Sequence, residues 1–260
     1  MVRLNKFLRD CQLGSRRKCE KLVVGGLVTI DGSPVTDLST MVDPVASRVE
    51  VDGKTVRPHE EQIYIAAYKP RGAIVTASDP RKRRTLYDQV PGLPTGAFAV
   101  GRLDMESEGL ILLTNDGALS FRLAHPKYAI ERIYEVRVKG GASADLADAL
   151  RQGVVLEDGT ARPKAVRVLR ETGQSFMLRL TLTEGKKREI RRMIAACGYD
   201  VVRLKRVRFA GVTLGALGVG RWRHLTRDEV RGLRRLVQDS YVAGLKQAHR
   251  PRRSAPEVHQ

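Results

Sequence analysis

Gly101 to Gly117 reads GRLDMESEGLILLTNDG, and the rest of the chain is organised around it. Arg102 and Asp104 lie in a polar segment opened by a glycine, where a sharp backbone turn is easy. Leu110 to Thr114 is an apolar run closed by Asn-Asp-Gly, the pattern of a buried strand ending in a tight turn. With Phe98 to Val100 as a preceding strand, two strands and a polar loop hold one aspartate in place. On periodicity alone Asp104 and Arg102 make an ordinary surface ion pair, a contact worth little. Any larger role has to come from the rest of the chain.

The composition narrows the partner. The chain has 260 residues, 42% of them hydrophobic, enough to bury a core in one large or two smaller domains. Its formal net charge is +18, and the surplus is uneven: Lys186 to Arg208 is dense in Lys and Arg, opposed only by Glu189 and Asp200. Such cation density on a folded body calls for a polyanion, and nucleic acid is the expected partner. No apolar run approaches the roughly eighteen residues of a spanning helix, and the N-terminus, MVRLNKFLRD, lacks the apolar core of a signal peptide, so no membrane is involved and a cytoplasmic location is expected. Cys11, Cys19 and Cys197 are odd in number with no CxxC spacing, which reads as free thiols, and the five histidines are scattered, so no metal site is expected.

Residues 1–57 read as a separate small α/β unit. Leu4, Phe7 and Leu8 recur at helical spacing, and Ser15 caps a second helix that stops at Gly25-Gly26. LVTIDGSPV and SRVEVDGKTV then give short alternating strands with Asp-Gly turns. Arg16, Arg17 and Lys18 sit in the first turn of the second helix, where each cation opposes the macrodipole by about 0.3–1 kcal/mol. A phosphate docked at that helix start supplies the reason for them. The LNKFLRDCQLGSRRKCEKLVVGGLVTIDG portion resembles the small S4-type RNA-binding fold, which implies RNA binding and names no chemistry.

Residues 58–62 are polar and proline-interrupted, and read as a linker. Beyond them, 63–240 alternate between strand and helix patterns with antiparallel connections, and 241–260 read as a basic, disordered tail. Arg81, Lys82, Arg83 and Arg84 form a basic loop that is either solvated or bound to phosphate. Ile190, Met193, Ile194 and Cys197 fall at helical spacing after Glu184-Gly185-Lys186-Lys187, and this second helix also carries arginines in its first turn. Thr226-Arg227-Asp228-Glu229 is a capping box opening a final helix. The fold class expected is α+β, with a small N-terminal unit before a mainly antiparallel-sheet domain.

Four segments of the second domain, in order, carry a further resemblance: YKPRGAIVT, the Gly101–Gly117 stretch, ERIYEVRV, and LTEGKKREIRRM with its continuation RLKRVRF. The domain resembles the pseudouridine synthases that modify ribosomal RNA. That resemblance implies roles for matching positions. Asp104 corresponds to the catalytic aspartate, Tyr134 to the aromatic residue stacking on the target base, and Arg191 to the arginine pairing with the aspartate. Ile190 corresponds to the apolar residue against uracil, and Arg102 to an RNA contact. Lys186, Lys187, Arg188 and Arg192 read as phosphate contacts, together with the basic loop and the second helix of the first unit. The isomerisation breaks the bond from ribose to N1, rotates the base and rejoins it through C5. It has no redox change or hydrolysis, so the resemblance implies no cofactor and no metal. Uridine must leave its stack to react, and a tyrosine can hold the freed base. The sequence leaves open whether the aspartate attacks the sugar or the base or assists a glycal, and which group takes the C5 proton, Tyr134 being one candidate.

The N-terminal unit, VVLEDGTARP and GRWRHLTRDEV look more like the branch acting on large-subunit (23S) RNA than the small-subunit (16S) branch. Two other readings compete. Asp104 with Glu106 or Glu108 makes a glycosidase-like carboxylate pair, against which stands an aromatic content of 5%. An RNA-binding assembly factor explains the charge and leaves Asp104 unexplained. With no coiled-coil pattern, a monomer is expected.

Overall fold

The computed structural model describes residues 1–59, 61–140 and 143–248. The chain divides into two compact units, one formed by Met1–Tyr64 with 92–98 and 113–116, the other by Ile65–Pro91, Ala99–Leu112 and the chain from Gly117 onward.

In the first unit a short strand β1 (Val2–Arg3) leads into α1 (Leu4–Asp10) and α2 (Arg16–Val24). Strands β2 (Val28–Ile30), β3 (Ser33–Pro34), β4 (Met41–Val42), β5 (Val49–Val51) and β6 (Lys54–Thr55) follow. The Ser15 hydroxyl accepts from the Lys18 amide at 3.3 Å, the cap the sequence calls for. Asp31-Gly32 and Asp52-Gly53 all have positive φ, as two-residue hairpin turns require. They set β3-β2-β5-β6 as one antiparallel sheet. Leu4, Phe7 and Leu8 of α1 and Cys19 and Val23 of α2 are buried with Val28, Val42 and Val49 as its core. Asn115, in the Asn-Asp-Gly turn of the central stretch, accepts from the Ile63 amide and donates to the Glu61 carbonyl, both at 2.8 Å, so the expected linker is tethered at its end.

The second part begins with β7 (Tyr64–Lys69), α3 (Leu86–Gln89), β8 (Phe98–Ala99), β9 (Glu108–Thr114) and α4 (Gly117–Ala124). After a 3-10 turn at Pro126–Tyr128 come β10 (Arg132–Lys139), α5 (Ala144–Gln152), β11 (Val154–Leu156) and β12 (Gly159–Ala161). Then come β13 (Ala165–Thr172), β14 (Ser175–Leu182), α6 (Glu189–Ala196), β15 (Asp200–Phe209), β16 (Val212–Thr213), β17 (Trp222–His224) and α7 (Arg227–Ala248). The main sheet runs β13-β14-β10-β15-β9-β7-β17, with β15 antiparallel to β10 and parallel to β9. The α+β class follows from this order. Leu146, Ala147 and Leu150 of α5 and Ile190, Met193 and Ile194 of α6 close over Val136, Val138, Leu178 and Leu180 of the sheet. Fully burying each such side chain contributes about 1.5–3 kcal/mol, and this seats α6 at the site described below.

One expectation changes, and one gains an acidic first residue. The helix α7 runs to Ala248, past the expected start of the tail at 241; residues 249–260 lie outside the described residues. At α6 the helix begins at Glu189, so its first residue is acidic, and Arg188 is the cap with a left-handed φ of 52°. The Glu189 carboxyl accepts from the Lys186 amide at 3.2 Å, and Arg191 and Arg192 follow it in the first turn, as the sequence reading expects.

Candidate active site

The loop from Gly101 to Ser107 is fixed through its backbone. Lys69, at the end of β7, is fully buried, and its Nζ donates to the carbonyls of Ser107 (2.6 Å), Pro70 (2.9 Å) and Met105 (3.4 Å). The Gly72 amide also donates to the Met105 carbonyl at 2.7 Å, the Ser107 amide to the Asp104 carbonyl at 3.0 Å, and Arg191 Nη2 to the Glu106 carbonyl at 3.2 Å. The Lys-Pro-Arg-Gly segment, the central stretch and α6 therefore converge on Asp104. Its carboxylate is half-buried and, among the described residues, makes no hydrogen bond or ion pair. Burial pushes the Lys69 ammonium down to about 8, and the nearby Asp104 and Glu108 carboxylates pull it back toward the charged form.

Asp104 opens on a cavity of about 260 Å³. Arg102, Tyr134, Ile190, Lys186, Lys187 and Arg188 line it too, so these expected residues share one site. Strand register accounts for part of this. Tyr134 on β10 pairs with Arg206 on β15, and Arg206 pairs with Gly109 on β9, just beyond the aspartate loop. Gly109 is obligatory: its φ is +104°, and a Cβ there would lie 2.8 Å from the Arg206 nitrogen and closer still to its carbonyl oxygen.

Other expected residues are engaged elsewhere. Arg191 and Asp104 form no ion pair. The burial-desolvated Arg191 guanidinium faces Glu106, at 3.7 Å, and acts on Asp104 only at longer range. Arg188 pairs with Glu106 at 3.1 Å, and Arg192 forks Asp158 at 2.8 and 3.0 Å, which ties that guanidinium to a carboxylate. In the basic loop Arg83 is bound to Asp79, while Arg81, Lys82 and Arg84 are exposed without a carboxylate partner among the described residues. Arg16, Arg17 and Lys18 are exposed at the start of α2. The carboxylate pair of the glycosidase reading does not form: Glu106 belongs to Arg188 and Arg191, Glu108 is held by Arg203 and Tyr68, and neither lines the cavity.

The sequence reading passed over four groups. Lys69 lay in a quoted motif without a role. Arg132 lines the cavity and donates to four carbonyls, those of Ile130, Thr183, Leu123 and Ala124, at 3.1 to 3.3 Å, a fork that lysine cannot make. Arg206, 2% exposed, had no role beyond membership of the basic stretch Lys186 to Arg208; its period-two spacing from buried Leu204 was the available signal. Glu189 is buried beside Glu184, and desolvation together with that second carboxyl pushes it up to about 7. Among the described residues no group of three or more His, Cys, Asp or Glu comes together as a metal site, and Cys11, Cys19 and Cys197 are free thiols. No described helix is long and apolar enough to cross a membrane.

A half-buried aspartate amid cations, with a tyrosine and an isoleucine lining the same cavity, suits an anionic substrate carrying a flat ring. The comparisons agree. Residues 63–196 match the family model for RNA pseudouridylate synthase, and residues 2–44 the S4 domain. The ribosomal large subunit pseudouridine synthase B of Bacillus subtilis (strain 168) is 39% identical over 239 residues, covering 91% of this chain and 97% of that protein. An uncharacterized RNA pseudouridine synthase of Aquifex aeolicus (strain VF5) is 39% identical over 242 residues, covering 93% of this chain and 97% of that protein. A crystal structure of a pseudouridylate synthase, 28% identical, covers 90% of this chain and all of its own, with a TM-score of 0.63. Behind an S4 RNA-binding domain, then, this chain belongs to the RNA pseudouridylate synthase family and isomerises uridine in RNA.

Proposed function

We propose that the substrate is one uridine of large-subunit (23S) ribosomal RNA, flipped out of its stack into the cavity beside Asp104. The observation that carries this reading is the shared cavity: Asp104, Tyr134, Ile190 and Arg102 all line it. In this account Asp104 supplies the carboxylate that engages the nucleotide. Tyr134 stacks on the base, Ile190 packs against its other side, and Arg102 with Lys186 and Lys187 receives the flanking phosphates. Arg191 is a positioning residue, holding the Glu106 carbonyl and lending Asp104 a longer-range countercharge. The large-subunit assignment draws on the Bacillus subtilis relative. The protein acts as a monomer in the cytoplasm, with exposed Arg16, Arg17 and Lys18 of α2 as a second RNA contact.

Carbodiimide mapping of pseudouridine across both ribosomal RNAs tests the reading, in cells with the protein, without it, and with Asp104→Asn. One 23S signal should vanish in the deletion and in the variant alike. A variant that restores the signal would remove Asp104 from the chemistry, and a lost 16S signal would move the target to the small subunit.

A further inference from the structure

The fold treats the two buried arginines of the cavity differently. Arg132 has a carbonyl for each terminal nitrogen and more. Arg206 donates through Nε to the Leu110 carbonyl at 2.7 Å, and its guanidinium carbon lies 4.7 Å from the Phe209 ring centroid. Its terminal nitrogens make no hydrogen bond among the described residues, and Nη2 is sealed from solvent. No carboxylate there lies within ion-pair distance of it either. Arginine stays charged and carries four N–H bonds on those two nitrogens, and a buried charged donor without an acceptor is costly. Gly109 nonetheless lets β9 approach so closely that Arg206 is held at the cavity wall.

The reaction supplies an acceptor. Breaking the N1–C1′ bond leaves its electron pair on the detached ring, delocalised onto the O2 and O4 carbonyl oxygens. Addition of a nucleophile at C6 would likewise place charge on O4. The charge is consumed when C5 bonds to C1′, the C5 proton leaves and N1 takes up a proton, so the atoms balance without another reactant. We propose that Arg206 donates through Nη1, the terminal nitrogen that is neither sealed nor hydrogen-bonded, to a carbonyl oxygen of the substrate uracil and stabilises the negative charge that collects there. This rests on the placement of uridine in the Asp104 cavity. Arg206 is then a catalytic residue of the oxyanion-stabilising kind, in a site where such donors count for more than in water.

The test is single-turnover tritium release from 23S rRNA transcript labelled as [5-³H]uridine, with the full-length protein and its Arg206→Gln and Arg206→Lys variants. Melting curves and filter binding to the same RNA run alongside. For folded variants the expected result is a release rate lower by about a hundredfold or more, the order seen on deleting one oxyanion donor, with RNA affinity within about threefold. A folded Arg206→Gln protein with a near wild-type rate overturns the proposal, as does a rate that falls only in step with affinity. If both variants melt, the wild-type protein decides alone on transcripts carrying 2-thiouridine or 4-thiouridine at the target. Slowing of tenfold or more by one sulfur supports a donor at that carbonyl, and no slowing by either refutes it. Wild-type release from 16S and not 23S transcript sinks only the subunit assignment, and the same variants are then read on that RNA.

Discussion

Replacing Gly109 by alanine tests whether the approach of β9 to β15 holds the site together. The added Cβ would stand 2.8 Å from the Arg206 nitrogen and nearer its oxygen, where ordinary contact begins at 3.4 Å, so the two strands must part by at least about half an ångström. Two costs add. A non-glycine residue at a φ of +104° costs about 1–2 kcal/mol, and forcing a methyl into a packed backbone contact costs about 1–3 kcal/mol more. Gly159, the first residue of β12, has the same φ of +104° with nothing within 4 Å, so Gly159→Ala isolates the first cost. A domain of this size loses about 2–4 °C per kcal/mol. Gly109→Ala should therefore melt about 10 °C below wild type and Gly159→Ala about 4 °C below, by scanning calorimetry. Equal shifts for the two variants would refute the close-approach argument.

Glu189 should make stability fall as pH rises. Burial and Glu184 raise it from 4.5 to about 7, so between those values the native state binds a proton that the unfolded chain has lost, and stability drops across that window. Glu189→Gln, always neutral, should flatten this dependence in urea midpoints taken at pH 5 and pH 8; an unchanged slope would remove the buried pair as its cause. Changing Arg16, Arg17 and Lys18 together to alanine should lower the slope of log affinity against log salt by about 2–3, at 0.7–0.9 per phosphate contact. An unaltered slope in filter binding would show that the start of α2 meets no phosphate.

Local signals were legible in the sequence. Ser15 and the Thr226-to-Glu229 box cap helices as their spacing says, and both Asp-Gly pairs turn hairpins. What escaped was set by distant partners. Strand β9 starts at Glu108, because that carboxylate is buried against Arg203 and Tyr68 rather than left in a polar loop. Arg191 and Arg192 look alike in a basic sequence, and only the fold brings them to Glu106 and Asp158. Lys69 before Pro70 reads as the stop of a strand; that two further carbonyls join that of Pro70 around its ammonium is decided by a loop some thirty-five residues later in the chain.

That loop shows how a lone carboxylate can be placed without being paired. An aspartate clamped directly by arginine would be oriented, but its oxygens would already be occupied when substrate arrived. Here the anchors address main-chain oxygens: Ser107 binds the Asp104 carbonyl, Gly72 and Lys69 that of Met105, Arg191 that of Glu106, and Lys69 that of Ser107. Every carbonyl from 104 to 107 is thereby held while the Asp104 side chain has no protein partner among the described residues, and Met105 remains exposed. Buried, largely unscreened donors make such anchors stiff, so the position of the carboxylate is inherited from the backbone. It follows that shortening Lys69 or Arg191 should displace Asp104, whereas changing the Met105 side chain should not, although Met105 is the aspartate's immediate neighbour.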